Sequence, residues 1–304
     1  MSLFILLILH IIIIGDDMKL YKKIENVMLD HFNNQLFHRP IDEILLDAKK
    51  VKPKLAYPCK LLQQIQINHL DFIFHHYGLK HKKLILYFPG GAFTDPPTML
   101  HYKFAKRLSR VTKSHVIMIQ YPLFPETDPS VTANLLKQII INKQYKDFAI
   151  IGDSAGANLA IYLLQSLHQD NTNIINKTIL VSPFIDSSMN NPNIKIIESS
   201  DFILNKDNCY KLSKNIYSKY LNNNMYLFPS SEDFVFNSDV LIISGGGEIF
   251  TFDALKWTMQ QKVLNVKHYV YNKLCHCFTI FPISEAKKAM KDINNFLLEN
   301  IDNA

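Results

Sequence analysis

Glycine is scarce in this chain, nine residues in 304, so a place where two or three stand together draws attention. Cysteine is also rare. The four are Cys59, Cys209, Cys275 and Cys277, and their spacing matches neither a zinc module nor a readable disulfide framework. Cys275-His276-Cys277 resembles a metal cluster only superficially. Neighbouring side chains on a strand-end loop diverge, and a tetrahedral site needs further ligands close by. No metal and no cofactor is expected. Charge of one sign is lacking too: 33 basic and 27 acidic residues leave a formal +6, and the two signs are intermixed. Without a basic stripe and interleaved aromatics, a nucleic-acid partner is disfavoured. No G-x-G-x-x-G follows the first central strand, which argues against a dinucleotide fold.

Long apolar runs are also missing, with one partial exception. Ser2 to Ile14 is apolar apart from His10. As a helix at ~1.5 Å per residue it falls short of the ~30 Å hydrocarbon core. Its length suits a signal-peptide core, but no basic residues precede it and no A-x-A-like cleavage site follows. It reads as a short anchor or uncleaved signal, a monotopic insertion, or a helix covering an apolar face. The expectation is therefore association with a membrane or the secretory pathway, such as the endoplasmic reticulum, through residues 2–14. A cytoplasmic location follows if that segment is buried. Oligomeric state is not readable.

What the chain does have is apolar content, 48% of its residues, enough for a large core. Its length suits one α/β domain with a small lid. The expected division is residues 1–15 as the apolar segment and 16–304 as a single domain, with lid elements at about 16–55 and 183–225. Met18 to Phe37 shows helical spacing, and a second short helix is expected at Ile41 to Ala48. Leu62–Ile67 and Asp71–Tyr77 read as an antiparallel hairpin. From Lys83 onward, strands and helices alternate. Strands are expected at 83–88, 115–120, 148–151, 177–182, 239–244 and 266–271. Helices are expected at 97–110, 131–141, 158–167, 209–221, 252–262 and 285–298. Such alternation predicts an α/β fold with a mostly parallel central sheet and helices on both faces. Right-handed crossovers then gather the carboxyl ends of the strands on one rim, where ligands bind.

Four loops on that rim carry chemistry. Gly152-Asp153-Ser154-Ala155-Gly156 joins a strand to a helix, the context a nucleophile elbow requires. Gly152 and Gly156 flank a turn too tight for a Cβ. A serine is a weak nucleophile near neutral pH and needs a general base. With this elbow the expected chain order is serine, acid, histidine, the last two on loops after later strands. Glu248 follows the strand ending at Ser244, and His276 follows the strand ending at Tyr271. His276 is the candidate base and Glu248 the candidate orienting acid, with Asp253 as the rival. An oxyanion needs backbone N–H donors. Ala155, directly after the serine, is one candidate. Gly90 and Gly91, after the 83–88 strand, are the others, with Ala92 as a further one.

Five stretches in this order resemble the hormone-sensitive-lipase-like branch of the α/β-hydrolases, which includes the arylacetamide deacetylase and steryl acetyl hydrolase types. GDSAGANLA resembles the branch's G-D-S-A-G-G-N-L-A elbow, and YFPGGAF its H-G-G-G-F oxyanion loop. YPLFPE resembles Y-R-L-A-P-E, LCHCF the x-x-H-G-F histidine loop, and ISGGGEIFTFD the acid loop. Together they span about residues 83–281. The resemblance implies an α/β-hydrolase fold with a helical lid, and a carboxylesterase or lipase-like activity with Ser154, Glu248 and His276 as triad. The implied partner is a small hydrophobic ester, with a short acyl group and an acetylated sterol as guesses. Four residues depart from the pattern: Pro89 for His, Ala92 for the third Gly, Pro122 for Arg, and Glu248 for the usual Asp. The alternatives are a catalytically silent ligand-binding receptor on the same scaffold and an amide or formamide hydrolase.

Overall fold

The computed structural model describes residues 40–48, 61–144, 148–199, 201–217, 238–260 and 265–299. The apolar run at 2–14, the expected helix at 18–37 and the end of the second lid stretch lie outside these residues.

Eight strands among the described residues form one sheet in the order β1-β2-β4-β3-β5-β6-β7-β8. They are β1 (Leu61–Ile67), β2 (Leu70–Tyr77), β3 (Leu84–Phe88), β4 (His115–Gln120), β5 (Phe148–Asp153), β6 (Ile175–Val181), β7 (Asp239–Gly245) and β8 (Val266–Tyr271). β2 pairs antiparallel with both β1 and β4. Every pairing from β4 through β3, β5, β6 and β7 to β8 is parallel. The central strands are buried on both faces, as their unbroken apolar runs require. Alternate residues feed two cores. Tyr87, Ile151 and Ile243 enter one, and Phe88, Ile150 and Ile242 enter the other.

The helices lie between the strands. They are α1 (Ile41–Ala48), α2 (Met99–Thr112), α3 (Pro129–Asn142), α4 (Ala155–Gln169), α5 (Ile194–Ile197), α6 (Lys206–Ile216), α7 (Thr251–Gln260) and α8 (Ser284–Leu298). α3 starts at Asp128, whose carboxylate accepts the N–H groups of Ser130 and Val131 with Pro129 in the first turn, a strong start signal. α6 starts earlier than periodicity alone suggested. Asn205 caps it by accepting the Asn208 N–H at 3.0 Å, and its buried positions are Cys209, Leu212, Ser213 and Ile216. That one-sided stripe lays α6 over the carboxyl rim of the sheet.

The strand order reverses between β3 and β5: β3 leads to β4 on one side, and the chain then crosses back to β5 on the other. A crevice opens at such a switch point. β3 delivers the Pro89-Gly90-Gly91-Ala92 loop there, and β5 delivers Ser154.

No helix among the described residues is long and apolar enough to cross a membrane.

Candidate active site

The elbow is tight because β5 passes into α4 with a single residue between them. Ser154 takes that place at φ 53 and ψ −119, a conformation a non-glycine residue adopts only when its surroundings impose it. A Cβ on Gly156 would run into the carbonyl of Phe88, so glycine lets β3 and α4 approach closely enough to frame the turn. The Ser154 N–H donates to the Val181 carbonyl at 2.9 Å, which fixes the turn to β6. Its side chain stands half-buried on the rim.

The two partners arrive from later strands. His276 Nε2 lies 2.8 Å from Ser154 Oγ, and its Nδ1 lies 2.5 Å from Glu248 Oε2. Glu248 is fully buried, and its other oxygen accepts the Gly245 N–H at 2.8 Å. Both carboxylate oxygens are therefore engaged, and the side chain is held against rotation. With Nδ1–H directed at the carboxylate, Nε2 is the acceptor facing the serine hydroxyl. The Phe250 ring packs edge-on against the imidazole, 5.2 Å between centroids. Asp253, the rival acid, is placed elsewhere. It sits in α7 and accepts from Asn191 Nδ2 at 2.9 Å. Burial, aided by the nearby Asp186 charge, pushes its carboxyl up to about 6.

The oxyanion loop differs in one member from the sequence expectation. The Gly90 N–H donates to Asp153 Oδ2 at 3.1 Å and so is turned away from the serine. The next two residues are not engaged in this way. Gly91 has φ 138, and its carbonyl accepts from Thr94 and Asp95 in a closed turn. Ala92 follows at φ 53. Neither N–H finds an acceptor among the described residues. Neither does that of Ala155, which opens α4, where a backbone donor lacks an intrahelical partner. Gly91, Ala92 and Ala155 thus present the uncommitted donors, with Ala92 in place of Gly90. The sequence puts Pro where the related pattern has His. Here the Pro89 carbonyl is held instead by Tyr121 Oη at 2.6 Å.

Asp153 is a residue that sequence reasoning passed over. It is buried directly beneath the loop, where Tyr87 Oη donates to Oδ1 at 2.6 Å and His101 Nε2 approaches Oδ2 at 3.3 Å. Burial by itself would raise its carboxyl. The neighbouring His101 imidazole, the Tyr87 hydroxyl and the Gly90 N–H outweigh that and hold it below the usual range. The first x of G-x-S-x-G being acidic was the available signal. Asp201 was also passed over. It lies in the stretch before α6 and accepts the Ile249 N–H, one residue past Glu248, at 2.8 Å.

A pocket opens beside Ser154, walled by Phe93, Phe184, Leu204, Leu212, Ile216 and Phe250. Its cavity is about 30 Å³, room for a small group only. Among the described residues, no group of three or more His, Cys, Asp or Glu side chains could hold a metal ion. The arrangement can move a proton from a serine to a histidine, steady the resulting imidazolium, and receive negative charge on an oxygen.

Comparison with known proteins agrees with this geometry. Residues 85–280 match the model of the alpha/beta hydrolase fold family, and the chain belongs to that family. Within it the chain stands with hydrolases of esterase and lipase type. An esterase from Acinetobacter venetianus is 26% identical over 228 residues, 70% of this chain and 74% of that protein. Among solved structures, an esterase from the bacterial hormone-sensitive lipase family superposes with a TM-score of 0.74. It is 19% identical and covers 89% of this chain and 94% of its own. A hyperthermophilic esterase from Pyrobaculum calidifontis gives a TM-score of 0.73 at 18% identity, covering 90% and 96%.

Proposed function

We propose that the protein is a serine carboxylic-ester hydrolase acting through an acyl-enzyme on hydrophobic esters with short acyl groups. The observation that carries this is the unbroken hydrogen-bonded chain Ser154–His276–Glu248 at the mouth of an apolar pocket. In this reading Ser154 Oγ attacks the ester carbonyl carbon while its proton passes to His276 Nε2. The carbonyl oxygen becomes an oxyanion, met by the N–H groups of Gly91, Ala92 and Ala155. Glu248 keeps the imidazole oriented and stabilises its charged form. The intermediate collapses, the alcohol leaves with the proton from His276, and the acyl group remains on Ser154. Water then enters, loses a proton to His276 and attacks the acyl carbon. Collapse of the second intermediate returns the proton to Ser154 and releases the carboxylic acid.

The narrow pocket supports the short acyl group. A chain beyond a few carbons has to displace Leu212 or Ile216, side chains already packed in the core on α6. The wild type is expected to hydrolyse p-nitrophenyl acetate and butyrate and to lose activity steeply by octanoate. Ser154→Ala should lower kcat by about 10⁴-fold or more. Equal rates for wild type and variant on all three esters would sink the hydrolase reading and leave a ligand-binding receptor. An acyl anilide in the same series separates the amide alternative, which predicts turnover of the anilide at a rate matching the ester.

A further inference from the structure

The triad accounts for Glu248, yet a second buried carboxylate stands behind the same loop. Asp201 lies four residues past the short α5 segment, and its N–H donates to the Ile197 carbonyl at 3.0 Å. Its Oδ1 accepts the N–H groups of Ile203 at 3.0 Å and Leu204 at 2.9 Å. Its Oδ2 accepts the Ile249 N–H at 2.8 Å. One side chain therefore joins two pieces of chain. Leu204 walls the pocket beside Ser154. Ile249 stands between Glu248, which touches His276, and Phe250, which packs on its ring. The Asp201 carboxylate also interacts electrostatically with His276.

We propose that Asp201 is a positioning residue for the triad: it ties the acid loop at Ile249 to the pocket wall at Leu204, and its charge steadies the imidazolium of His276. Ester hydrolysis puts a positive charge on His276 twice per turnover, so a fixed negative charge nearby lowers both barriers. Three backbone donors pre-organise that charge without competing for His276. Burial pushes the Asp201 carboxyl up to about 6, against the pull of its three N–H donors and of His276. The carboxylate is therefore present at neutral pH and is lost in mild acid. The ionisable groups on the elements around it are His276 after β8, Glu248 one residue before its Ile249 contact, and the Cys209 thiol of α6, which burial and Asp201 itself keep protonated.

The inference rests on the proposed hydrolase reading, and the two fail in different ways. Active sites of the full chain are counted by burst titration with a fluorophosphonate, and kcat/KM for p-nitrophenyl acetate is then measured per site from pH 5 to 9. No labelling of the wild type counts against the hydrolase reading itself. With labelling, Asp201→Asn should lower per-site kcat by about tenfold with a smaller change in KM. An amide retains one acceptor oxygen and turns an N–H donor toward one of the clamped amides. The acid limb of the profile should also move to lower pH by about half a unit or more, because a lost negative charge disfavours the imidazolium. Asp201→Glu, which keeps the charge, should hold the acid limb near its wild-type position even where its geometry costs rate. A purely structural role changes the number of active sites and leaves the per-site limb of Asp201→Asn unchanged, and that result overturns the proposal.

Discussion

At the scale of single residues, what distinguishes this site is how few donors and acceptors are left over. Asp153 illustrates it. The elbow motif leaves its second position open, and this chain fills it with a carboxylate buried under the oxyanion loop and bound by Tyr87, Gly90 and His101. By taking the Gly90 N–H it fixes the start of the loop and leaves the following two amides uncommitted. Such donors matter mainly when charge develops on the substrate oxygen, so their misplacement should act on kcat. Asp153→Asn, measured on p-nitrophenyl butyrate, is expected to lower kcat by about 10- to 100-fold with KM nearly unchanged. A rise in KM at constant kcat would contradict this role. Ser154, His276 and Glu248 were legible as candidates because motif, order and strand ends converge on them. The Gly90 assignment failed because a glycine pair marks where backbone comes close, and only coordinates tell which N–H points where. Asp153 stood inside the elbow motif with no sign of its role, and Asp201 had no motif at all. Their partners lie 63 and 48 positions away in the chain, and no local pattern links them.

At the scale of elements, most strands and helices fall within a few residues of where periodicity and caps put them. The earlier start of α6 comes from the Asn205 cap, which apolar spacing does not mark. The β2–β4 edge shows what element pairing adds. It brings His75 and His76 beside β4, and His76 Nδ1 meets His115 Nε2 at 3.0 Å. Neutral rings can make this contact with one donor and one acceptor, whereas two protonated rings cannot. Burial, with His115, Lys143 and His75 adding to it, pushes His76 down to about 4, and burial also lowers His75 and His115. A histidine lowered on folding contributes stability above its unfolded value near 6.5, and this is lost as pH falls toward the folded value. Asp201 and Asp253, raised to about 6, run the other way, because acid neutralises charges whose burial is unfavourable. Acid should therefore loosen this edge selectively. Hydrogen exchange, corrected for intrinsic rates, is expected to show β2 amides losing protection between pH 7 and 5 while β6 amides keep theirs. Parallel loss in both strands would contradict the histidine mechanism.

At the scale of the whole molecule, one sheet serves two cores. Adjacent residues of β3, β5 and β7 point to opposite layers, so neither layer can come apart without removing support from the other. The only tryptophan, Trp257, is fully buried in one layer and reports on that layer alone. In urea, its fluorescence and the far-UV circular dichroism of the molecule should change with the same midpoint. Trp257 fluorescence changing at lower urea would mean that the layers unfold separately. The sequence by itself determined the class of fold, the rim on which the candidate site sits and the three side chains that meet there. Alternation of strand and helix, turn chemistry and chain order are local or ordinal properties, readable without coordinates. Tertiary structure alone decided the strand order that opens the crevice between β3 and β5, and the direction of each amide in the oxyanion loop. It also decided the choice of Glu248 over Asp253, the narrowness of the pocket under α6, and the two buried aspartates behind the site. Each of these depends on angles and on contacts between residues far apart in the chain, which spacing along a sequence does not encode.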